Sequence, residues 1–217
     1  MAAFSNTSQH IQTLIKTGSN INALNGCGHT PLMVAVQCGN ATNVSSLLSH
    51  CSSKSNLQCT GEDGKAPLHV AAQNNDLDCI TALLKHGAHV NAKDGNGDTA
   101  LTYLIKHQSR EGVVLLDQYG CDFAMTFHND NTALHLATVA NNLDIVSFIV
   151  AANPELVDRM NGGGDSPLSL AVGGNSYAIC KLLLECGADK MRENDKGLSA
   201  YSMAVDRGCD RLVELFN

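Results

Sequence analysis

The chain has no tryptophan, and aromatic residues make up only 4% of its 217 positions. Such a low content is expected where Leu, Val, Ile and Ala fill thin layers between short helices. No run of Lys or Arg exceeds two, and 14 basic against 21 acidic residues give a formal net charge of −7. That balance argues against nucleic acid and against an anionic membrane surface as partners. No apolar stretch approaches the roughly 18 residues of a membrane-spanning helix, so direct membrane insertion is not expected. The start, Met1-Ala2-Ala3-Phe4-Ser5, has neither the basic residues nor the apolar run of a secretory signal. Nine cysteines are spread along the chain, an odd number. Free thiols in a reducing cytoplasm or nucleus are the expectation, rather than a disulfide framework.

What the chain does have is repetition. A short phrase returns as Thr30-Pro31-Leu32-Met33, Ala66-Pro67-Leu68-His69, Thr99-Ala100-Leu101-Thr102, Thr132-Ala133-Leu134-His135, Ser166-Pro167-Leu168-Ser169 and Ser199-Ala200-Tyr201-Ser202, at intervals of 36, 33, 33, 34 and 33. A period in this range means stacked supersecondary units rather than one globular core. Such a solenoid works by the surface it displays more than by a pocket it encloses.

One unit shows the local logic. Asp94-Gly95-Asn96-Gly97-Asp98 is dense in turn formers. Thr99 then stands where a hydroxyl can cap a helix, with Leu101, Leu104 and Ile105 on one helical face. A second helix is predicted over Glu111 to Gln118, and Gly120 ends it. Helices of two or three turns do not persist alone in water, so each must bury its apolar face against a neighbouring unit.

The phrases Asp63-Gly64-Lys65-Ala66-Pro67-Leu68-His69-Val70-Ala71-Ala72 and Leu83-Leu84-Lys85-His86-Gly87-Ala88 closely resemble the ankyrin-repeat family. The resemblance implies an all-α solenoid of stacked helix-turn-helix units with β-turn fingers, and a concave face made of fingers and inner helices. The register gives a single domain over 1–217, with units at 25–60, 61–93, 94–126, 127–160 and 161–193 between a partial repeat at 1–24 and a partial cap at 194–217. Aligning Gly18-Ser19-Asn20-Ile21-Asn22 on Gly87-Ala88-His89-Val90-Asn91 places Ala2-Ala3 on the Ala71-Ala72 position. The opening half-repeat is then either a natural cap or the edge of a larger protein, with the second expected.

Three departures stand out. The interval of 36 adds residues around His50 to Cys59, predicting a longer loop. Leu104 replaces the small Ala35, Ala71 and Ala137, so packing there must widen or shift. Asn153-Pro154-Glu155 replaces Gly-Ala-Asp, with Pro154 as the helix stop.

Catalytic chemistry finds no foothold. A nucleophile needs a positioned base and an orienting third group, and no phrase supplies them in a suitable strand–turn–helix context. Gly162-Gly163-Gly164 reads as a finger turn. His86-x-x-His89 and Cys27-x-His29 are single pairs, Cys51 and Cys59 lie too far apart for a knuckle, and Cys38 and His107 are separated by two repeats, so no zinc site is expected. The chain is read as no enzyme, with no catalytic, cofactor-binding or metal-binding residues. The family resemblance gives His69 and His135 a role in tying adjacent finger loops. Asn22 and Asn91 occupy the position that ankyrin domains present to asparaginyl hydroxylases, with Leu14 and Leu83 eight residues upstream. Lacking an acidic residue two positions before, they are expected to bond loop backbone instead.

By the same resemblance, recognition falls to finger and inner-helix positions: Lys65, Gln73, Asn74, Asp98, Lys106, His107, Asn131, Val139, Ala140, Asp165, Gly173, Gly174, Leu198 and Arg207. Val139-Ala140 and Gly173-Gly174 are small and apolar, flanked in sequence order by Lys106 and His107 before and Arg207 after. A partner's Leu or aromatic side chain framed by acidic residues is the expected fit. The expected function is a non-enzymatic scaffold, adaptor or targeting module binding a protein or peptide, monomeric on its own. The alternatives are the targeting arm of a larger protein such as a ubiquitin ligase or ion channel, or a transcription-factor inhibitor resembling the inhibitors of NF-kappa-B.

Overall fold

A computed structural model of the chain describes residues 13, 17, 19–26, 28–50, 55–61 and 63–217. Ala2-Ala3, Leu14, Cys27, Cys51 and the finger residue Glu62 lie outside the described residues. The described residues fold as helices joined by turns, with one isolated bridge between Glu193 and Ser199. Contacts divide the chain into two compact units, Met1–His107 with Glu111–Cys121, and Gln108–Arg110 with Asp122–Asn217.

The recurring phrase begins a seven-residue helix each time. In the first unit these are α1 (Pro31–Gln37), α4 (Pro67–Gln73) and α6 (Ala100–Lys106). In the second unit they are α8 (Ala133–Val139), α10 (Pro167–Gly173) and α12 (Ala200–Asp206). The residue before each helix is extended, and Pro31, Pro67 and Pro167 occupy the first turn, where a missing N–H costs nothing. Thr30, Ser166 and Ser199 accept from the amides of Met33, Ser169 and Ser202 at 3.2, 3.2 and 3.1 Å. Thr99 differs from expectation: its hydroxyl makes no cap, and Thr102 instead turns its own hydroxyl back to the Thr99 carbonyl at 2.8 Å.

The chain leaves each of these helices through one left-handed residue, Gly39, Asn75, Gln108, Asn141, Asn175 or Gly208, a conformation that only Gly and Asn take at low cost. Second helices follow: α2 (Ala41–His50), α5 (Leu77–Lys85) and α7 (Arg110–Gln118), then α9 (Leu143–Ala152), α11 (Tyr177–Glu185) and α13 (Asp210–Phe216). Asn40, Asp76 and Asn142 cap three of them through the amides of Asn43, Cys79 and Ile145. In the first unit α4 packs between α1 and α6, and α2 packs against α5; in the second, α10 packs between α8 and α12, and α9 and α13 flank α11.

The layers are thin because small residues line the stacking faces. Ala35, Ala71, Ala137, Ala171 and Ala204 occupy one repeat position and are all fully buried. Leu104 holds the same position in α6 and is also fully buried. Pro154 does stop its helix: α9 ends at Ala152 and Pro154–Leu156 form a single 3-10 turn. The long loop after α2 is less plain than expected. Ser55–Gln58 form one helical turn, α3, which packs against α4, and Leu57 is buried. A single apolar residue anchors the insertion where no apolar period is visible.

Candidate interaction surface

Each finger closes on itself. The backbone N–H of Asn25, Gly61, Asp94, Phe127, Asn161 and Asn194 donates to the carbonyl four residues on, at 2.8–3.1 Å. At Asp94, Asn161 and Asn194 the side-chain oxygen also accepts two amides of its own turn, which is the chemistry that favours Asp and Asn in turns. The finger that begins at Phe127 departs from the rest, with Asn129 and Asp130 both left-handed at its tip. Neighbouring fingers are tied within each unit. Gly95 N–H donates to the Asp63 carbonyl at 3.1 Å, and Gly162 N–H to the Asn129 carbonyl at 2.9 Å.

The two buried histidines join a helix to the next finger. His69 Nδ1 accepts from the Ala66 amide at 3.0 Å, which leaves Nε2 as the donor to the Ala92 carbonyl at 2.8 Å. His135 repeats the arrangement with the Thr132 amide at 3.1 Å and the Asp165 carbonyl at 3.2 Å. Burial holds the His135 ring below its ordinary pKa, against the backbone carbonyls that favour its charge. Asn91 bonds backbone too, its side-chain amide donating to the Gly120 carbonyl at 3.1 Å.

In the first unit the finger bases meet the ends of the first helices through a saturated polar network. Tyr103 donates to Asp94 Oδ2 at 2.6 Å. Burial raises the Asp94 carboxyl, but the Tyr103 hydroxyl and the Asn96 and Asp98 amides outweigh it and hold the group below its usual range. Lys65 and Lys106 place their ammonium groups 5.6 and 5.4 Å from the Tyr103 ring centre, within cation–π range. Lys65 also meets Asp63 at 3.1 Å and Gln73 Oε1 at 3.0 Å, and Lys106 meets Asp98 at 3.0 Å. Lys106, expected on the recognition surface, is thus paired with Asp98 within its own repeat. A recess of about 270 Å³ beside this network is lined by His29, Met33, Gln37, Lys65, Gln73 and Asn74 among others.

A second regularity runs along the helix ends. In three repeats the residue just after the first helix donates to the last helical carbonyl of the preceding repeat: Asn74 to Gln37 at 3.5 Å, His107 to Gln73 at 2.7 Å, and Arg207 to Gly173 at 2.6 Å. Ala140 and Gly174 hold the same position and carry no donor. Val139 is 68% exposed, and Gly173, Gly174 and Arg207 are exposed as well. Asn131 and Asp165, at the finger bases, are half-buried and bond Asn161 and Asn194 at 3.0 and 2.8 Å; Leu198, at the same position, is also half-buried.

Among the described residues no three His, Cys, Asp or Glu side chains gather where an ion could sit. Burial pushes the Cys180 thiol up to about 12, and burial with the neighbouring Asp76 raises Cys79 as well, so neither supplies a thiolate. No helix of the described residues is long and apolar enough to cross a membrane.

A stack of two-helix repeats with hydrogen-bonded fingers defines an ankyrin-repeat architecture. The family described as "Ankyrin repeats (3 copies)" matches residues 1–94, 51–127, 87–159 and 102–194, and the chain belongs to it. It is 27% identical over 133 residues to alpha-latrotoxin-Lg1a of Latrodectus geometricus, covering 60% of this chain and 10% of the toxin. It is 29% identical over 128 residues to the transient receptor potential cation channel subfamily A member 1 homolog of Caenorhabditis elegans, covering 57% of this chain and 11% of the channel. The chain thus spans about a tenth of the length of these relatives. Among solved structures, the ankyrin repeat domain of Bcl-3, a member of the IkappaB protein family, superposes with a TM-score of 0.84 at 22% identity, covering 96% of this chain and 91% of that one. That likeness is one of fold. The ankyrin-repeat fold is typically a non-enzymatic interaction module.

Proposed function

We propose that this chain is a non-enzymatic protein-interaction module, a scaffold, adaptor or targeting domain that takes a peptide or protein partner on the surface made by its finger bases and first-helix ends. The proposed surface comprises Lys65, Gln73, Asn74, Asp98, Lys106 and His107 in the first unit, and Asn131, Val139, Ala140, Asp165, Gly173, Gly174, Leu198 and Arg207 in the second. Residues 1–217 are taken to serve as one repeat domain, monomeric on its own, in the cytoplasm or nucleus. The observation that carries this reading is the contrast between the two units. In the first, Lys65, Lys106, His107 and Tyr103 satisfy one another or the backbone. In the second, the same repeat positions hold an exposed Val139 and an exposed Gly173-Gly174 pair, which offer a partner apolar surface and room.

The test is a pull-down from the native lysate with wild-type chain and Gly173→Arg. A Cβ built at Gly173 meets only Arg207 Nη1, at 4.0 Å, so the new side chain leaves the helix into open space. Partner capture is expected to vanish while thermal unfolding stays nearly unchanged. Capture that survives means the second unit offers the wrong face. A second reading, the targeting arm of a larger protein such as an ion channel or ubiquitin ligase, is supported by the small share of the relatives' length that this chain spans. An inhibitor of a transcription factor rests on acidic charge and a likeness of fold alone, and is the weaker alternative.

A further inference from the structure

The repeats act as internal controls for one another, and they show what the open surface of the second unit lacks. The residue just before the phrase and the last residue of the helix that follows it bond each other in two repeats. Lys65 bonds Gln73 at 3.0 Å, and Asp98 holds Lys106 at 3.0 Å. The same two positions in the repeat at 161–193 are Asp165 and Gly173. Asp165 therefore repeats the carboxylate of Asp98, but the lysine that should meet it is missing. Its Oδ1 accepts one neutral amide, from Asn194 at 2.8 Å; His135 bonds the Asp165 backbone carbonyl, and among the described residues no Lys, Arg or His forms an ion pair with the carboxylate itself.

The neighbouring position has lost a donor as well. Where Asn74, His107 and Arg207 cap the carbonyls of Gln37, Gln73 and Gly173, Gly174 leaves the Val139 carbonyl without a side-chain donor among the described residues. Two adjacent repeat positions thus miss a long cationic side chain and an N–H donor, beside an exposed valine. The charge around them has the matching sign, with thirteen Asp and Glu against seven Lys and Arg over residues 122–217.

We propose that the second unit receives an arginine or lysine side chain of its partner over Gly173 and Gly174, with the cation on the Asp165 carboxylate and the aliphatic stem along Val139. The proposal rests on the interaction reading given above and replaces the acidic, apolar partner expected from sequence with a basic one. A guanidinium suits the place better than an ammonium, because its planar fork can serve a carboxylate while its stem and faces pack on apolar surface. Arg207 is a nearby charge of the wrong sign. It is held at the Gly173 and Val172 carbonyls, at 2.6 and 3.3 Å, and it separates this proposal from its opposite: a basic partner tolerates the loss of Arg207, whereas an acidic one requires it.

The probe is a displayed library of random dodecapeptides selected on the immobilised full chain, with the recovered peptides synthesised and their affinities measured by fluorescence anisotropy. Recovered peptides are expected to share one Arg or Lys, and replacing that Arg by citrulline is expected to weaken binding at least tenfold. Asp165→Asn should cost a similar factor. So should Gly173→Lys, whose new ammonium reaches Asp165 as Lys106 reaches Asp98. Arg207→Gln, which keeps an amide donor for the Gly173 carbonyl, should leave affinity equal or raise it. Peptides that share an acidic residue and lose affinity with Arg207→Gln overturn the proposal. Peptides lost on Gly173→Leu but indifferent to Asp165→Asn and to citrulline also overturn it, while leaving the interaction reading intact. If no peptide is recovered, or if every peptide ignores all these changes, both readings fall.

Discussion

Gly64 and Gly97 occupy the same place in consecutive fingers, and alanine there should have unequal consequences. Both are left-handed, with φ of 72° and 81°, so an added Cβ costs about 1–2 kcal/mol in either finger. At Gly97 nothing lies within 4 Å of that Cβ. At Gly64 it would sit 2.5 Å from the Gly95 nitrogen and 2.9 Å from the Gly95 Cα. Relieving that contact requires the two fingers to part by about 1 Å, since ordinary non-bonded contact begins near 3.5 Å. The Gly95 N–H to Asp63 carbonyl bond, 3.1 Å long, does not survive such a shift. Its loss adds about 1 kcal/mol, and the displaced backbone adds a comparable amount. Gly64→Ala is therefore expected to lose about 2 kcal/mol more stability than Gly97→Ala. Urea unfolding followed by circular dichroism measures both, compared at equal m-values. Equal losses would refute the idea that close finger approach, rather than backbone conformation alone, fixes this glycine.

Two further outcomes follow from buried polar groups. Thr138 is 2% exposed and its hydroxyl has no partner, whereas Val36, Val172 and Val205 hold the same repeat position; Thr138→Val should raise stability by about 1 kcal/mol, seen as a higher urea midpoint, and a lower midpoint would mean that the hydroxyl is satisfied. His135 is kept neutral by burial, so its folded pKa lies below the ordinary 6.5 of the unfolded chain; the unfolded state then binds more protons, and stability should hold above pH 6.5 and fall as pH drops below it. His135→Gln should flatten that part of the pH profile of unfolding, and a profile that keeps its slope would place the titration elsewhere.

Much of this architecture is written in short-range chemistry. Thr30-Pro31-Leu32 and its five counterparts mark helix starts because an extended cap residue, a proline tolerated in the first turn and a buried leucine are all local requirements. Gly120 and Pro154 mark helix ends for equally local reasons. Leu57 escaped such reading because one buried leucine makes no period; only its packing beneath α4 gives it a place. The candidate surface was legible as positions and not as chemistry. The sequence shows Lys106 and Arg207 as two free cations, yet one is matched by Asp98 and the other by a backbone carbonyl.

The sequence by itself determined the repeat, the helix starts and the family, because each follows from spacing and from side-chain preferences within a few residues. Only the tertiary structure decided which polar side chains are already satisfied. Asp98 with Lys106, and Arg207 with Gly173, are pairs separated by eight and thirty-four residues, and stacking brings the second pair together. For the same reason only the structure distinguishes Gly64 from Gly97, or Asp165 from Asp98, where the letters and the local geometry agree. The difference lies in what the rest of the fold places, or fails to place, within bonding distance.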